Sequence, residues 1–134
     1  MIAILLLTHG KLGHEFLSLI KQICGEESHI KAIGIEPSDD IEKKRQEIAA
    51  TIKSLNQGRG VIIVTDLFGG VPSNIAISFM NQPQIEVLAG MNLPLLIKLV
   101  RARHQHDLAT TSALAQEEGR KYIYSASQIL NQSR

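Results

Sequence analysis

Residues 1–14 read MIAILLLTHGKLGH, and this stretch decides the fold of the chain. The unbroken apolar run Ile2–Leu7 is typical of a β-strand that is buried on both faces. The run stops at Thr8-His9-Gly10, and a helical pattern begins at Leu12. A histidine between a buried strand and the following helix lies at the rim of an α/β sheet. Open α/β folds keep their chemistry at that rim.

The composition is that of a globular protein with one ordinary core. The chain has 134 residues, of which 44% are hydrophobic and 20% are charged, and we expect one domain over residues 1–134. The formal charge of +1 and the aromatic content of 4% give no indication of nucleic-acid binding. The single cysteine, Cys24, excludes an internal disulfide and fits a reducing compartment. Neither a signal peptide nor a membrane span is indicated, so we expect a cytoplasmic protein.

Four predicted strands alternate with helices along the chain. The strands are predicted at 2–7, 29–36, 61–64 and 85–89, and the helices at 12–24, 41–55, 72–80, 93–100 and 108–118. A short last strand is predicted at Lys121–Tyr124, followed by a helical turn or two capped by Ser125. The helix at 93–100 is apolar almost all round, which indicates burial on more than one side.

This alternation predicts an α/β fold with a doubly wound, mostly parallel sheet. For a chain of this length we expect the flavodoxin-like strand order 2-1-3-4. In that order strands 1 and 3 are neighbours, and the chain reverses direction between them. His9 and Asp66 follow the carboxyl ends of these two strands, so they are predicted to face each other across the crevice.

A carboxylate that accepts a hydrogen bond from one nitrogen of a histidine leaves a lone pair on the other nitrogen. Such a histidine can act as a base, a metal ligand or a nucleophile. The Gly69-Gly70 loop lets backbone approach a ligand, and the helix after it directs free N–H groups to the same crevice. An anion-holding loop that faces an oriented histidine suggests phosphoryl transfer through phosphohistidine.

Further residues are candidates for phosphate contacts at this crevice. Thr8 would add a hydroxyl beside the histidine, while Ser73 and Asn74 would add short polar groups in the first helical turn. No second carboxylate or histidine is placed to complete a metal site. His104 and His106 form an H-x-H pair in a charged polar loop, which is better interpreted as solvated surface.

Three motifs carry a resemblance to a known family. THG follows strand 1, DLFGGVPSN follows strand 3, and AGMNLPLL follows strand 4. In this order and spacing they resemble the mannose-type (mannose/fructose/sorbose) enzyme IIA domain of the bacterial phosphoenolpyruvate:sugar phosphotransferase system. The resemblance extends from Met1 to about Tyr124.

The resemblance implies a phosphoryl carrier that uses no cofactor and no metal. The histidine that matches His9 would take a phosphoryl group from the phosphocarrier protein HPr and pass it to an enzyme IIB for coupled sugar uptake. The aspartate that matches Asp66 would hydrogen-bond that histidine. Members are homodimers that exchange a C-terminal strand, which Lys121–Tyr124 would match. We expect the acceptor to be a separate protein, and membrane contact to be indirect, through the permease.

The chain departs from the family pattern at Val71. Many members have Ser or Thr between the second glycine and the proline, so a hydroxyl that could contact phosphoryl oxygens is missing here. Ser73 or backbone N–H groups would take its place. His9 and Asp66 are the predicted catalytic pair. The predicted phosphate-binding residues are Thr8, Gly69, Gly70, Val71, Ser73 and Asn74.

Two other classes of phosphoryl-transfer protein fit the sequence less well, and two further functions remain open as alternatives. A histidine phosphatase needs an arginine before its histidine, and this chain has Thr8. A receiver domain needs an acidic pair after strand 1 to hold magnesium. A stand-alone regulatory sensor of phosphorylation state, or the phosphoryl donor of a dihydroxyacetone kinase, would use the same His9 chemistry.

Overall fold

Strand β1 (Ala3–His9) lies in the interior of a four-stranded parallel sheet. In the computed structural model, which describes residues 1–132, the other strands are β2 (Ile30–Ile35), β3 (Val61–Thr65) and β4 (Ile85–Ala89). Their order is β2-β1-β3-β4, with every neighbouring pair parallel. The predicted doubly wound fold and its 2-1-3-4 order are confirmed. The prediction of one domain covers residues 1–134, and the last two of these lie outside the residues that the structure describes.

Helices cover both faces of the sheet. They are α1 (Leu12–Cys24), α2 (Ile41–Leu55), α3 (Val71–Ser78), α4 (Leu93–Ala102), α5 (Leu108–Lys121) and α6 (Ala126–Gln132), with a 3-10 turn at Phe79–Asn81. The predicted helices are all present, and α4 and α5 extend beyond the predicted ends. None of the helices within residues 1–132 is long and apolar enough to span a membrane.

The alternation of side chains along β1 builds two cores, one on each face. Ala3, Leu5 and Leu7 point to the face covered by α2 and α3. Ile4 and Leu6 point to the opposite face, covered by α1, α4 and α5. Because successive strand residues face opposite sides, Thr8 continues the second series and His9 continues the first. This alternation decides which of the two polar residues, Thr8 or His9, reaches the crevice.

The last predicted strand is absent from the single chain. Lys121 is the final residue of α5, and Tyr122–Tyr124 lie exposed between α5 and α6 without strand pairing. The prediction for Lys121–Tyr124 is therefore wrong within one chain, because the α5 helix continues through Lys121. Pairing with the strand of a second subunit stays a prediction. The helical turn predicted after Ser125 is confirmed as α6.

The third motif, AGMNLPLL, serves the scaffold. Asn92 caps α4, since its Oδ1 accepts a hydrogen bond from the N–H of Leu95 at 3.0 Å. Its Nδ2 donates to the carbonyl of Gly119 in α5 at 3.0 Å. The side chain of Asn92 therefore joins the amino end of α4 to α5 and stabilises the contact between the two helices.

Arg103 ties the amino ends of β1 and β2 to the end of α4. The side chain is fully buried, although the sequence places it in a charged segment predicted to be solvated. Its guanidinium donates to the carbonyl oxygens of Ile2 at 3.2 Å, His29 at 3.3 Å and Ser28 at 2.7 Å. It also donates to a carboxylate oxygen of Glu27 at 3.2 Å. Burial lowers the pKa of Arg103, and the hydrogen bond with Glu27 opposes that effect.

Candidate active site

His9 is the last residue of β1 and reaches the solvent at the carboxyl edge of the sheet. Its side chain is 49% exposed. Its Nδ1 lies 2.9 Å from Oδ2 of Asp66, and its backbone N–H donates to the same oxygen at 3.0 Å. The predicted meeting of His9 and Asp66 across the crevice is thus present in the structure.

Asp66 is held rigidly as the partner of this histidine. Leu7 of β1 pairs with Thr65 of β3, so the chain leaves β3 beside the end of β1. The second oxygen of Asp66, Oδ1, accepts the N–H of Leu67 at 3.0 Å, and the side chain is only 10% exposed. Burial raises the pKa of Asp66, but the hydrogen bonds from His9 and Leu67 outweigh it and leave the pKa below its ordinary value.

The low pKa of Asp66 determines the tautomer of His9. An ionised carboxylate can only accept hydrogen bonds, so Nδ1 of His9 must carry the proton of their shared bond. The other ring nitrogen, Nε2, then bears a lone pair. Because the ring is half exposed, that lone pair is accessible to a reacting group.

The Gly69-Gly70 loop packs against the free edge of the His9 ring. A Cβ atom at Gly70 would lie 2.8 Å from Cε1 and 3.3 Å from Nε2 of His9. Any side chain at this position would therefore displace the ring. Helix α3 begins at Val71, directly after the loop, so its first-turn N–H groups and positive dipole end lie beside Nε2.

A second glycine that the sequence analysis did not single out supports the turn after His9. A Cβ atom at Gly34 of β2 would lie 2.0 Å from the carbonyl oxygen of Gly10. The N–H of Gly10 donates to the carbonyl of Ile35 at 2.9 Å. A glycine inside a strand pattern is a signal of such close backbone approach. The sequence of residues 29–36, HIKAIGIE, carries this signal at Gly34.

The hydroxyls of Thr8 and Ser73 do not reach the crevice, and this corrects the predicted phosphate contacts. Both side chains are fully buried. Oγ1 of Thr8 accepts the N–H of Gly13 at 2.8 Å, so it caps the first turn of α1 on the opposite face of the sheet. Oγ of Ser73 accepts the N–H of Gly69 at 2.8 Å and donates to the carbonyl of Gly70 at 3.1 Å. Both hydroxyls are already used inside the scaffold.

Val71 and Asn74 remain exposed on the first turn of α3. The backbone N–H of Asn74 donates to the carbonyl of Gly70 at 3.0 Å, which leaves the side-chain amide as the polar group of this residue that faces outward. Val71 presents only methyl groups. Polar contacts to an anion at this position would thus come from backbone N–H groups and the Asn74 amide.

A small apolar cavity of about 360 Å³ opens beside His9. It is lined by His9, Gly10, Ile35, Glu36, Pro37, Ile41 and Val71. Its mostly apolar wall provides little to hold a sugar by hydrogen bonds. Within residues 1–132, no group of three or more His, Cys, Asp or Glu side chains could hold a metal ion.

The other histidines and the cysteine lie elsewhere. His104 is exposed and lies 3.6 Å from a carboxylate oxygen of Glu27, near the amino ends of the strands. His106 is partly buried in the same segment, and His14 is exposed on α1. Cys24 is half-buried at the end of α1. None of these side chains shares the crevice of His9.

Comparisons with known proteins identify the family of the chain. Residues 3–116 match the family model EIIA-man, described as the phosphotransferase system (PTS) fructose IIA component. The chain is similar to a "PTS system mannose-specific EIIAB component" of Escherichia coli strain K12. The two are 30% identical over 124 residues, which are 91% of this chain and 38% of that protein. The chain thus spans a little over a third of that relative's length.

A shorter relative and a solved structure extend the comparison. The "PTS system fructose-specific EIIA component" of Bacillus subtilis is 28% identical over 104 residues, covering 77% of this chain and 71% of that protein. The fold matches a crystal structure of phosphotransferase system component EIIA from Streptococcus agalactiae with a TM-score of 0.87. The match has 22% identity and covers 96% of this chain and 99% of that one. The chain therefore belongs to the mannose-type family of enzyme IIA components of the phosphotransferase system.

Proposed function

We propose that this chain is a cytoplasmic phosphoryl carrier of sugar uptake. Nε2 of His9 accepts a phosphoryl group from phosphorylated HPr and passes it to an enzyme IIB. The observation that carries the proposal is the bond between Nδ1 of His9 and Asp66, which leaves Nε2 with a lone pair at an exposed edge. No cofactor or metal is part of the proposal.

The transfer needs only the ring, the carboxylate and the loop. The lone pair on Nε2 attacks the phosphorus of the donor's phosphohistidine. The new N–P bond forms as the donor's N–P bond breaks, and the donor's imidazole leaves with that electron pair. Positive charge builds up on the His9 ring and is stabilised by the carboxylate of Asp66. In the second step the acceptor attacks the same phosphorus, and the His9 ring is the leaving group.

Backbone groups beside Nε2 are suited to hold the transferred group. The proposed contacts are Gly70 and Val71 through their N–H groups, and Asn74 through its amide, whereas the predicted contact of Gly69 is withdrawn because its N–H already donates to Ser73. They lie at the positive end of α3, where anions are favoured. The buried hydroxyls of Thr8 and Ser73 are left out of this set.

The surroundings of His9 favour a protein as the donor and acceptor. The chain around the site exposes apolar side chains, above all Phe68, which is 76% exposed, together with Leu12, Leu67 and Val71. Exposed apolar groups that surround a polar centre are typical of a protein–protein contact. A free sugar would need hydrogen-bonding groups that the apolar cavity beside His9 lacks.

The relatives support the carrier function over the open alternatives. Their names assign them to the sugar phosphotransferase system, for mannose in one case and fructose in the other. A carrier step that precedes the sugar is common to both. Neither the regulatory sensor nor the dihydroxyacetone kinase donor gains support from these names.

We also propose a homodimer with exchanged C-terminal segments. Within residues 1–132, β4 is the end strand of the sheet, with one edge unpaired. Tyr122, Ile123 and Tyr124 are exposed and could supply a strand to the β4 of a second subunit. Such pairing would cover both an open strand edge and an apolar segment.

The carrier function is tested by phosphorylation in a purified system. Wild type, His9→Gln and His14→Gln are incubated with phosphoenolpyruvate, enzyme I and HPr, and each intact mass is measured. His14→Gln is the matched control, because His14 is an exposed histidine five residues further along the chain. We expect one phosphoryl group on wild type and on His14→Gln, and none on His9→Gln. A phosphorylated His9→Gln variant would reject the assignment.

A further inference from the structure

We propose that Ser73 is a positioning residue for phosphoryl transfer, which it serves by holding the Gly69-Gly70 loop against the ring of His9. The inference rests on the proposed carrier function. It assigns to Ser73 a role different from phosphate contact, because the side chain is 0% exposed and cannot meet a phosphoryl group on the surface.

The hydroxyl of Ser73 bridges two consecutive residues of the loop. It accepts the N–H of Gly69 at 2.8 Å and donates its proton to the carbonyl of Gly70 at 3.1 Å. Glycine backbone has more conformational freedom than that of any other residue, so a Gly-Gly pair keeps one shape only where other groups fix it. In this loop, the buried serine hydroxyl is such a group at both glycines.

The fixed loop in turn limits the position of the His9 ring. The space where a Gly70 Cβ would stand is 2.8 Å from Cε1 and 3.3 Å from Nε2. The backbone of Gly70 therefore lies in contact distance of the ring edge that carries the reactive nitrogen. A shift of the loop by a few tenths of an ångström would change the room available to that edge.

Asp66 and Ser73 thus act on opposite edges of one ring. Asp66 binds the Nδ1 edge directly, and Ser73 acts on the Nε2 edge through Gly70. A half-exposed histidine bound only at Nδ1 could still swing about that bond. Because transfer needs Nε2 aligned with the donor's phosphorus, loss of the second constraint lowers the fraction of productive encounters.

The test compares the kinetics of transfer from phosphorylated HPr to wild type and to Ser73→Ala. We expect the maximal rate constant to fall about fivefold to tenfold, the size expected for losing a net hydrogen bond. The KM for phosphorylated HPr should stay unchanged, because a buried hydroxyl makes no contact with the partner. A residue that only stabilised the fold would lower the rate in proportion to the folded fraction, which circular dichroism measures, and would leave the rate per folded molecule at the wild-type value.

Two further variants control the experiment. Ser112→Ala removes another buried serine hydroxyl, one that donates to the carbonyl of Leu108 at 2.8 Å within α5, and it should keep the wild-type rate. Ser73→Cys keeps nearly the same size but forms weaker hydrogen bonds. We expect its rate to lie between those of wild type and Ser73→Ala, and it serves as the test if the alanine variant does not fold.

The outcomes separate this proposal from the carrier function. If wild type is phosphorylated on His9 but Ser73→Ala and Ser73→Cys transfer at the wild-type rate, the positioning role is wrong and the carrier function stands. A raised KM with an unchanged maximal rate would also overturn the positioning role. If the His9→Gln variant accepts the phosphoryl group, the carrier assignment fails first.

Discussion

The two ends of strand β1 carry polar networks of opposite character. At the carboxyl end, Nδ1 of His9 and Oδ2 of Asp66 lie 2.9 Å apart, and the histidine side chain is half exposed. At the amino end, Arg103 is fully buried and donates to three backbone carbonyls and Glu27. Both networks join β1 to its neighbours, but only the first presents a reactive atom to the solvent.

The difference shows how the sheet separates chemistry from stability. A buried guanidinium whose two terminal nitrogens donate to carbonyls and a carboxylate gives no site to a ligand, and it is costly to remove because most of its acceptors stay buried. A half-exposed ring beside water contributes little to stability, yet it can accept a phosphoryl group. We therefore expect substitutions at the amino end to change unfolding, and substitutions at the carboxyl end to change transfer.

The largest change in stability is expected for Arg103→Met. The variant keeps much of the side chain's volume but leaves the carbonyls of Ile2 and Ser28 without this donor, while the carbonyl of His29 keeps the N–H of Ile4 as a donor at 3.0 Å. We expect the free energy of unfolding to fall by about 3 kcal/mol, since each buried acceptor without a partner costs about 1–3 kcal/mol. Urea denaturation followed by circular dichroism measures this change.

The matched control is Arg101→Met, which removes an exposed arginine from the last turn of α4, two residues before Arg103. Its free energy of unfolding should stay within about 0.5 kcal/mol of wild type. Phosphorylation of His9 should persist in both variants under conditions where they are folded. Equal unfolding of the two variants would show that the Arg103 network does not hold the amino end.

The next largest effect is expected for Asp66→Asn. An amide in place of the carboxylate can donate to Nδ1 of His9, which favours the tautomer that carries its proton on Nε2. The negative charge that stabilises the ring during transfer is lost as well. We expect the transfer rate from phosphorylated HPr to fall about a hundredfold, while the free energy of unfolding changes by no more than about 1 kcal/mol.

Asp107→Asn is the control for this substitution. Asp107 caps α5 by accepting the N–H of Thr110 at 2.8 Å, and asparagine caps helices equally well. This variant should transfer at the wild-type rate. Transfer at the wild-type rate by Asp66→Asn would contradict the orienting role of the carboxylate.

The sequence was sufficient to predict the sheet and the central pair. Short apolar or partly alternating runs between helical patterns indicated the four strands, and the predicted topology brought His9 to Asp66 without knowledge of any contact. Strands and their order follow from periodicity and crossover handedness, which are local or general properties. The orientation of the pair followed because parallel strands end at the same edge.

Burial of individual polar side chains was harder to predict. Thr8 and Ser73 were assigned to the phosphate, whereas the parity of β1 and the packing of α3 place both hydroxyls inside. The parity of Thr8 could have been read from the strand alternation. The burial of Arg103 could not be predicted from the sequence, because its carbonyl acceptors come from segments about 75 to 100 residues away.

The smallest effect that separates the two ends of β1 is their response to acid. The pKa of Asp66 lies below its ordinary value of 3.8 in the folded chain, so the folded state binds this proton less readily than the unfolded state. The stabilisation from Asp66 is therefore complete above that ordinary value and is lost as the pH falls through the lower folded-state pKa. Water at the half-exposed ring of His9 screens its interaction with Asp66, which keeps the effect below the preceding two.

The measurement is the difference in free energy of unfolding between wild type and Asp66→Asn, taken by urea denaturation over a series of acidic pH values. We expect wild type to lose stability faster than the variant, so that their difference shifts against wild type as the pH falls. The deficit of Arg103→Met should change much less over the same range, because three of the four acceptors of Arg103 are backbone carbonyls, which do not titrate. A pH-independent difference for Asp66→Asn would mean that the carboxylate gains nothing from His9 and Leu67 in the folded chain. The tautomer argument for Nε2 would then lose its basis.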